Sequence, residues 1–355
     1  MGEKTSLQGK VRNSNIDILR LIAAAFVMAG HMAYIGGGKV PMVMSTQIHA
    51  IGVYMLFSIS GALIVRSWCS DPNLVRYAIK RIFRILPPLI VFSLLMVFVA
   101  GPLLSAYPTS VYFQKKETYD YLKNILLFPV YALLGVFQEV PYTGVVNGSL
   151  WTIPIEVAMY CAIPVIITLT GFKRNSTHLN PFLVIFVVGI CAFDLRIQVM
   201  PERPHAVFYG TDWLQALDVI PFYCIGMLFA SSAMERFLSM KIALVAVAIA
   251  LCLSPSAVGY RILLYFLIPY CCFSFAHSKP VFAEKKHEVS YGIYLYGFFI
   301  QQLVVCVSTK LLRYNLSQDL YFVITMMITG GCAILSERYI EKPALRLCRR
   351  ICERI

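Results

Sequence analysis

The chain has 355 residues, of which 59% are apolar and only 14% are charged, and its mean hydropathy is +0.71. A water-soluble domain is about half apolar and about a quarter charged, so this composition argues against disorder, a nucleic-acid-binding module and a disulfide-rich secreted domain. The net charge of +13 comes from 31 lysines and arginines, which cluster in short polar gaps between apolar stretches. That distribution is typical of an integral membrane protein with basic cytoplasmic loops.

In chain order, the apolar stretches predict an all-α, polytopic membrane helix bundle of about ten transmembrane helices. The first is the run 18–35, and the capping-box pattern Ser-Asn-Ile-Asp at 14–17 predicts that its helix begins near Asn15. The segment 119–138 contains Pro129 within a short apolar core, so we expect an interfacial or re-entrant helix there. The remaining predicted spans lie at about 48–66, 84–104, 150–170, 182–199, 214–232, 241–255, 259–276, 290–311 and 317–337.

The distribution of lysines and arginines predicts the orientation of the bundle. With the N-terminus inside, 21 of these residues lie on the cytoplasmic side, nine lie outside, and Arg20 lies within the first span. This asymmetry predicts that both termini are cytoplasmic, and a full crossing by 119–138 would largely remove it. The predicted organisation is an N-terminal tail at 1–14, a membrane domain at 15–340 and a basic C-terminal tail at 341–355.

Ionisable side chains within a membrane span are costly, so each of them is a candidate functional residue. The first predicted helix carries Arg20 and His31, which are eleven residues apart in the sequence. This spacing places them within about 20° of one helix face and about 16 Å apart along the axis, with His31 in the outer half of the membrane. The alternatives are that Arg20 pairs with Asp17 at the interface and that His31 is hydrogen-bonded to a neighbouring helix.

Six stretches of the sequence together resemble acyltransferase family 3, and they occur in the family's order over nearly the whole chain. They are IDILRLIAAAFVMAGH (16–31), IGVYMLFSISGALI (51–64), YAIKRIFRILPPL (77–89), NGSLWTIPIEVAMY (147–160), VSYGIYLYGFF (289–299) and SERYIEKPALRL (336–347). The sequence departs from the family at Gly297, where many relatives have a histidine.

The resemblance implies a multi-pass enzyme of a cell membrane, the bacterial inner or plasma membrane. Such an enzyme moves an acyl group, usually acetyl, from cytoplasmic acyl-coenzyme A to a hydroxyl group of a glycan or a lipid-linked sugar. Membrane lipid is then a partner, whereas nucleic acid and metal are not. We expect the bundle and the outer loop 105–148 to recognise the acceptor.

The resemblance also implies roles for residues in the matching stretches. His31 is expected to act as the general base on the acceptor hydroxyl. Glu156 is expected to orient and charge-stabilise the His31 imidazole if the two meet, and otherwise to line a wet cavity or pair with another helix. Arg20, together with Arg81 or Arg84, is expected to attract the phosphates of coenzyme A.

Further candidates line the predicted donor and acceptor sites. Ser60 either allows close helix packing together with Gly61 or donates a hydrogen bond to the thioester oxygen. Trp151 is either part of the acceptor cleft or a residue of the interfacial aromatic belt. The predicted acceptor-binding residues are His49, Ser149, Trp151 and Tyr160.

A transporter or flippase for a lipid-linked sugar or a small anion is the competing function. Intramembrane Arg20, His31 and Glu156 suit such a protein equally well on physical grounds. Inverted repeats with broken helices would favour it, and the sequence contains no such pairing. Dependence on acyl-coenzyme A separates the enzyme from the transporter.

Overall fold

The protein folds as a bundle of helices, and its computed structural model describes residues 2–253, 255–279 and 288–355. The helices of the bundle are α1 Gly2–Ile35, α2 Ile48–Ser70, α3 Leu74–Leu95, α4 Thr152–Thr170, α5 Pro181–Gln198, α6 Trp213–Leu228, α7 Met240–Cys252, α8 Ala257–His277, α9 Ser290–Cys306, α10 Gln318–Ser336 and α11 Lys342–Cys352. The predicted loop 280–287, with its two lysines, lies outside the described residues.

Shorter elements extend or connect these helices. π-Helical turns at Met96–Ala100, Val307–Leu311 and Glu337–Glu341 follow α3, α9 and α10. The remaining helical segments are Gly101–Leu104, Thr109–Gln114, Lys116–Asp120, Ser232–Glu235 and the 3-10 turns Tyr121–Leu126 and Gly148–Trp151. Two antiparallel hairpins pair Met42–Val43 with Thr46–Gln47 and Val207–Phe208 with Thr211–Asp212.

The predicted membrane bundle is confirmed. Within the described residues, eight helical stretches are long and apolar enough to cross a membrane. Two shorter apolar helices, α6 with 16 residues and α7 with 13, occupy the remaining predicted positions. Because a perpendicular crossing of the hydrocarbon core needs about 20 residues, α6 and α7 are shorter than a full span.

The first helix begins earlier than the capping-box pattern predicts. α1 starts at Gly2, so a start near Asn15 is wrong. The Asn15 side chain instead donates to carbonyl oxygens at the C-terminal end of α8, at 3.0 Å from Phe275 and 3.3 Å from Ser278. Asn15 therefore caps the end of a neighbouring helix, where carbonyl groups lack intrahelical partners.

Only the first part of the segment 119–138, predicted as an interfacial or re-entrant helix, is helical. Its helical part ends at Leu126, and Leu127 adopts a left-handed conformation with φ of 64°. Phe128 then precedes Pro129, and a residue before proline disfavours helical backbone angles. The chain continues as irregular structure that enters the bundle, with Phe137 2% exposed and Val146 fully buried.

Close helix contacts explain the small residues of the second predicted span. A Cβ atom on Gly61 would lie 2.1 Å from the carbonyl oxygen of Tyr223, and one on Gly226 would lie 2.0 Å from that of Ser58. The backbones of α2 and α6 therefore approach each other at a distance that glycine alone permits. The close-packing interpretation of the Ser60–Gly61 pair holds for Gly61.

Arg261 is buried, although the charge count assigned it to an outer loop. It lies in α8, and its Nε donates to Asp194 of α5 at 3.0 Å. Its Nη1 atom lies 2.9 Å from the Asp218 carboxylate of α6 and 2.8 Å from the Tyr54 hydroxyl of α2. This charged network joins four helices outside the cavity described next.

Candidate active site

A cavity of about 490 Å³ lies between α1, α2, α3, α4 and the start of α9, and we call it the central cavity. On α2 its wall runs from Ser67 through Ser60 to Val53, which is about 21 Å along the helix axis. Thr152 and Tyr294 line it together with Val53. Its five cationic lining residues are Arg20, Lys80, Arg81, Arg84 and Arg349.

Two of the predicted donor-binding arginines share one carboxylate. Oε1 of Glu288, just before α9, accepts hydrogen bonds from Arg20 at 3.1 Å and from Arg84 at 2.9 Å. Arg84 also lies 3.7 Å from Glu341, which is 4% exposed at the end of the π-helical turn after α10. The partner of Arg20 is thus Glu288, 268 residues away in the sequence, and the local pairing with Asp17 that we considered is not the one observed.

Arg81 differs from Arg20 and Arg84 in its surroundings. Its Nη2 donates to the Ser67 hydroxyl at 3.2 Å, and its guanidinium lies 5.7 Å and 5.6 Å from the ring centres of Tyr77 and Tyr160. Among the described residues, its buried Nε has no hydrogen-bond partner and no carboxylate pairs with it. Arg81 therefore retains donors for an anionic ligand.

Lys80 lies at the surface end of α3, the helix that also carries Arg81. Its Nζ lies 2.7 Å from Asp71, which also binds Arg76. Hydrogen bonds from Arg76 and Lys80 hold the pKa of the Asp71 carboxyl well below its usual range. Asp71 is therefore charged at neutral pH, and Lys80 approaches the cavity as a paired cation.

Glu156 lies in the central cavity and not beside His31. Its carboxylate accepts a hydrogen bond from the Tyr160 hydroxyl one turn along α4. The chain is already inside the bundle before α4 begins. Asn147 is already fully buried and donates to the carbonyl oxygen of Leu295 at 2.8 Å. The cavity-lining role is thus the one the structure supports for Glu156.

His31 lies just beyond the Val53 end of the cavity. Its ring centre is 5.7 Å from that of His49 and 5.1 Å from that of Phe298. His49 is four residues from Val53 on α2, and Phe298 is four residues from the cavity residue Tyr294 on α9, a rise of about 6 Å in each helix. Among the described residues, neither ring nitrogen of His31 has a hydrogen-bond partner, so a neighbouring-helix bond does not explain it.

The predicted acceptor-binding residues do not form one group. His49 lies beside His31, whereas Tyr160 lies between Arg81 and Glu156. Ser149 is 2% exposed, and its carbonyl oxygen accepts from Tyr294 at 3.2 Å. Trp151 is half-buried and lies outside the cavity lining. The structure therefore separates His49, which lies beside His31, from Tyr160, which lies in the arginine half of the cavity.

Ser60 lines the cavity about 16 Å along α2 from His49. That separation places its hydroxyl far from the His31 ring, because His31 and His49 are in contact. A serine at this level can contact a ligand that passes along the cavity, but a hydrogen bond to an oxygen that reacts beside His31 is out of its reach. Donation from Ser60 to the thioester oxygen is therefore incompatible with a thioester that reacts beside His31.

Several cavity residues were not predicted from the sequence. In the sequence, Glu288 lies next to a polar loop, where a single carboxylate does not indicate a function. Tyr291 and Tyr294 belong to a stretch that we quoted for its resemblance, and their spacing of three residues places both on one helix face. Arg349 lies in the predicted tail at 341–355, which in fact forms helix α11 against α3.

The chain is similar to one protein family and to two individual proteins. The profile of a family described as an acyltransferase domain matches residues 13–337. An O-acetyl transferase of Shigella phage Sf6 is 25% identical over 299 residues, which cover 83% of this chain and 86% of that protein. Nodulation protein 10 of Rhizobium leguminosarum bv. viciae is 24% identical over 400 aligned positions, which cover 98% and 97% of the two chains. No solved structure matches.

Proposed function

This chain belongs to acyltransferase family 3, and we propose that it is a membrane O-acyltransferase that moves an acetyl group from cytoplasmic acetyl-coenzyme A to a hydroxyl group of a surface or exported glycan. The phage relative is named an O-acetyl transferase, which supports the acetyl group and the hydroxyl acceptor. The proposed location is a bacterial inner or plasma membrane, with α11 on the cytoplasmic side. The glycan or lipid-linked sugar would approach from the opposite side.

The observation that carries the proposal is the position of the central cavity between an arginine cluster and a histidine pair. Arg20 and His31 lie eleven residues apart on α1, about 16 Å along its axis. An extended pantetheine arm spans such a distance, so phosphates bound near Arg20 leave the thioester close to His31. Arg81 and Arg84 line the same half of the cavity and would add charge-assisted hydrogen bonds to the phosphates.

The proposed chemistry is general-base catalysis by His31. As the acceptor hydroxyl oxygen attacks the thioester carbonyl carbon, a neutral His31 ring nitrogen takes the hydroxyl proton. The carbon–sulfur bond then breaks, the acetyl group remains on the acceptor oxygen, and the coenzyme A thiolate recovers the proton from the His31 imidazolium. His49 would hold the acceptor, since it lies beside His31 and away from the arginines.

The test is acetyl transfer by purified protein in nanodiscs. Acetyl-coenzyme A labelled in the acetyl group would be supplied with a crude host glycan extract, and free thiol and labelled glycan would be followed together. We expect both products from the unmodified protein, and loss of transfer in His31→Ala with coenzyme A binding retained. His178→Ala is the matched control, because His178 is exposed in a loop between α4 and α5.

The outcomes separate the enzyme from a transporter. Labelled glycan would support acyl transfer and leave only the acceptor sugar to be identified. Folded protein that neither binds the donor nor releases thiol would contradict the proposal in favour of transport. Near-normal turnover of His31→Ala would show that another residue is the base.

A further inference from the structure

Helix α11 contributes to a second, strongly basic recess next to the central cavity. A groove of about 640 Å³ is lined by Leu345 and four cationic side chains, and carboxylates are absent from its described lining. We call it the α11 groove. Its cationic lining residues are Arg338, Lys342, Arg346 and Arg349.

The groove adjoins the central cavity, because Leu345 and Arg349 line both spaces. Lys342, Arg346 and Arg349 follow one another at intervals of four and three residues, which places them on one face of α11. Cys348, which is 4% exposed, packs on the buried side of the helix.

The positive charge of the groove is less compensated than that of the cavity. Arg20 and Arg84 share Glu288, but among the described residues no carboxylate pairs with Arg346 or Arg349. Lys342 lies 3.4 Å from Glu337, and the Arg338 guanidinium lies 5.6 Å from the ring centre of Tyr339. Arginine guanidinium groups without carboxylate partners are suited to bidentate binding of a phosphate group.

We propose that the α11 groove binds the ribose 3′-phosphate of the donor, with Arg346 and Arg349 as its main ligands. The inference rests on the proposed function and adds a subsite to it. An acyl-coenzyme A carries a diphosphate between pantetheine and adenosine and a separate phosphate at the ribose. When the diphosphate is bound at Arg81 and Arg84, the adenosine end leaves the cavity next to Arg349. The doubly charged 3′-phosphate then contacts Arg346 and Arg349 of α11, which have no carboxylate partner among the described residues.

The experiment compares acetyl-coenzyme A with 3′-dephospho-acetyl-coenzyme A as donors for the protein in nanodiscs, with free thiol as the readout. We expect kcat/KM of the unmodified protein to be about tenfold or more higher for the complete donor, because a charge-assisted hydrogen bond is lost with the phosphate. Arg346→Gln should lower kcat/KM for the complete donor and leave that for the dephospho donor unchanged. Arg349→Gln, which also changes the lining of the central cavity, should lower kcat/KM more for the complete donor than for the dephospho donor. Arg350→Gln is the matched control, since Arg350 is on the same helix but outside the groove lining.

The retained use of the dephospho donor shows that a variant is folded, so a structural defect and a binding defect give different results. Equal use of both donors by the unmodified protein would overturn the inference and leave the proposed function intact. A proportional loss with both donors in Arg346→Gln would also overturn it. Absence of thiol release from either donor would overturn the proposed function and this subsite with it.

A phosphate-binding groove at a membrane surface has a second source of ligand, the headgroup of an anionic lipid. The same assays in phosphatidylcholine nanodiscs, with and without phosphatidylglycerol, separate the two sources. Donor discrimination by Arg346 and Arg349 that is the same in both lipids supports the donor subsite. A requirement for phosphatidylglycerol that Arg346→Gln abolishes, with donor preference unchanged, would assign the groove to lipid and contradict our proposal.

Discussion

The imidazole rings of His31 on α1 and His49 on α2 lie with their centres 5.7 Å apart, and a glycine permits this approach. A Cβ atom on Gly30 would lie 2.6 Å from the Cβ of His49 and 2.9 Å from its backbone nitrogen. The buried Nδ1 of His49 has no hydrogen-bond partner among the described residues. The contact between the two helices therefore creates a histidine pair in which the buried His49 Nδ1 has no hydrogen-bond partner among the described residues.

His49→Ala should impair use of the acceptor more than use of the donor. If the His49 ring holds the acceptor hydroxyl through one hydrogen bond, its loss costs about 1 kcal/mol or slightly more, so acceptor kcat/KM should fall by about tenfold. Donor KM should stay within about twofold, because the arginines that bind the donor are unchanged. Steady-state kinetics with each substrate varied in turn measures both effects, with His178→Ala as the control. An equal rise of the two KM values would contradict an acceptor-side position.

Gly30→Ala should separate the two histidines and lower both activity and stability. The added Cβ meets the backbone of His49, so α1 and α2 must move apart, and overpacking of this kind costs about 1–3 kcal/mol. Thermal unfolding in detergent and the rate of thiol release test the prediction together. Gly189→Ala on α5 is the matched control, because a Cβ there meets nothing within 4 Å. Equal unfolding temperatures of the two variants would show that α1 and α2 tolerate the methyl group.

The sequence predicted the elements of the bundle better than the contacts between its candidate site residues. Arg20 and His31 were predicted together because both lie on one helix, where the spacing alone fixes their relative position. The surroundings of Glu156 were not predictable in this way, because they depend on how α4 packs against other helices: Glu156 lines the cavity beside Tyr160, whereas His31 contacts His49 and Phe298. Nothing in a single sequence shows that Glu288 pairs with Arg20, since that contact depends on how α1 and α9 pack.

Glu288→Gln should strengthen donor binding. Its carboxylate occupies Arg20 and Arg84, the residues proposed to hold the donor phosphates, so phosphate and carboxylate compete for the same hydrogen-bond donors. Removal of the negative charge should lower donor KM by about three- to tenfold with little change in kcat. Glu353→Gln, at an exposed C-terminal position, is the control for the change in net charge. A higher donor KM in Glu288→Gln would mean that the carboxylate orients the two arginines for the donor.

Arg261→Gln should destabilise the bundle strongly without changing donor KM. It leaves the carboxylate of Asp194, which is fully buried, without its cation, and loss of one partner of a buried pair costs about 3–5 kcal/mol. Adding Asp194→Asn should recover part of that loss, because the double variant no longer buries this uncompensated charge. Thermal unfolding of the single and double variants measures the coupling, and Arg196→Gln, exposed on α5, is the control. A double variant as unstable as the sum of its single variants would show that the two charges do not stabilise each other.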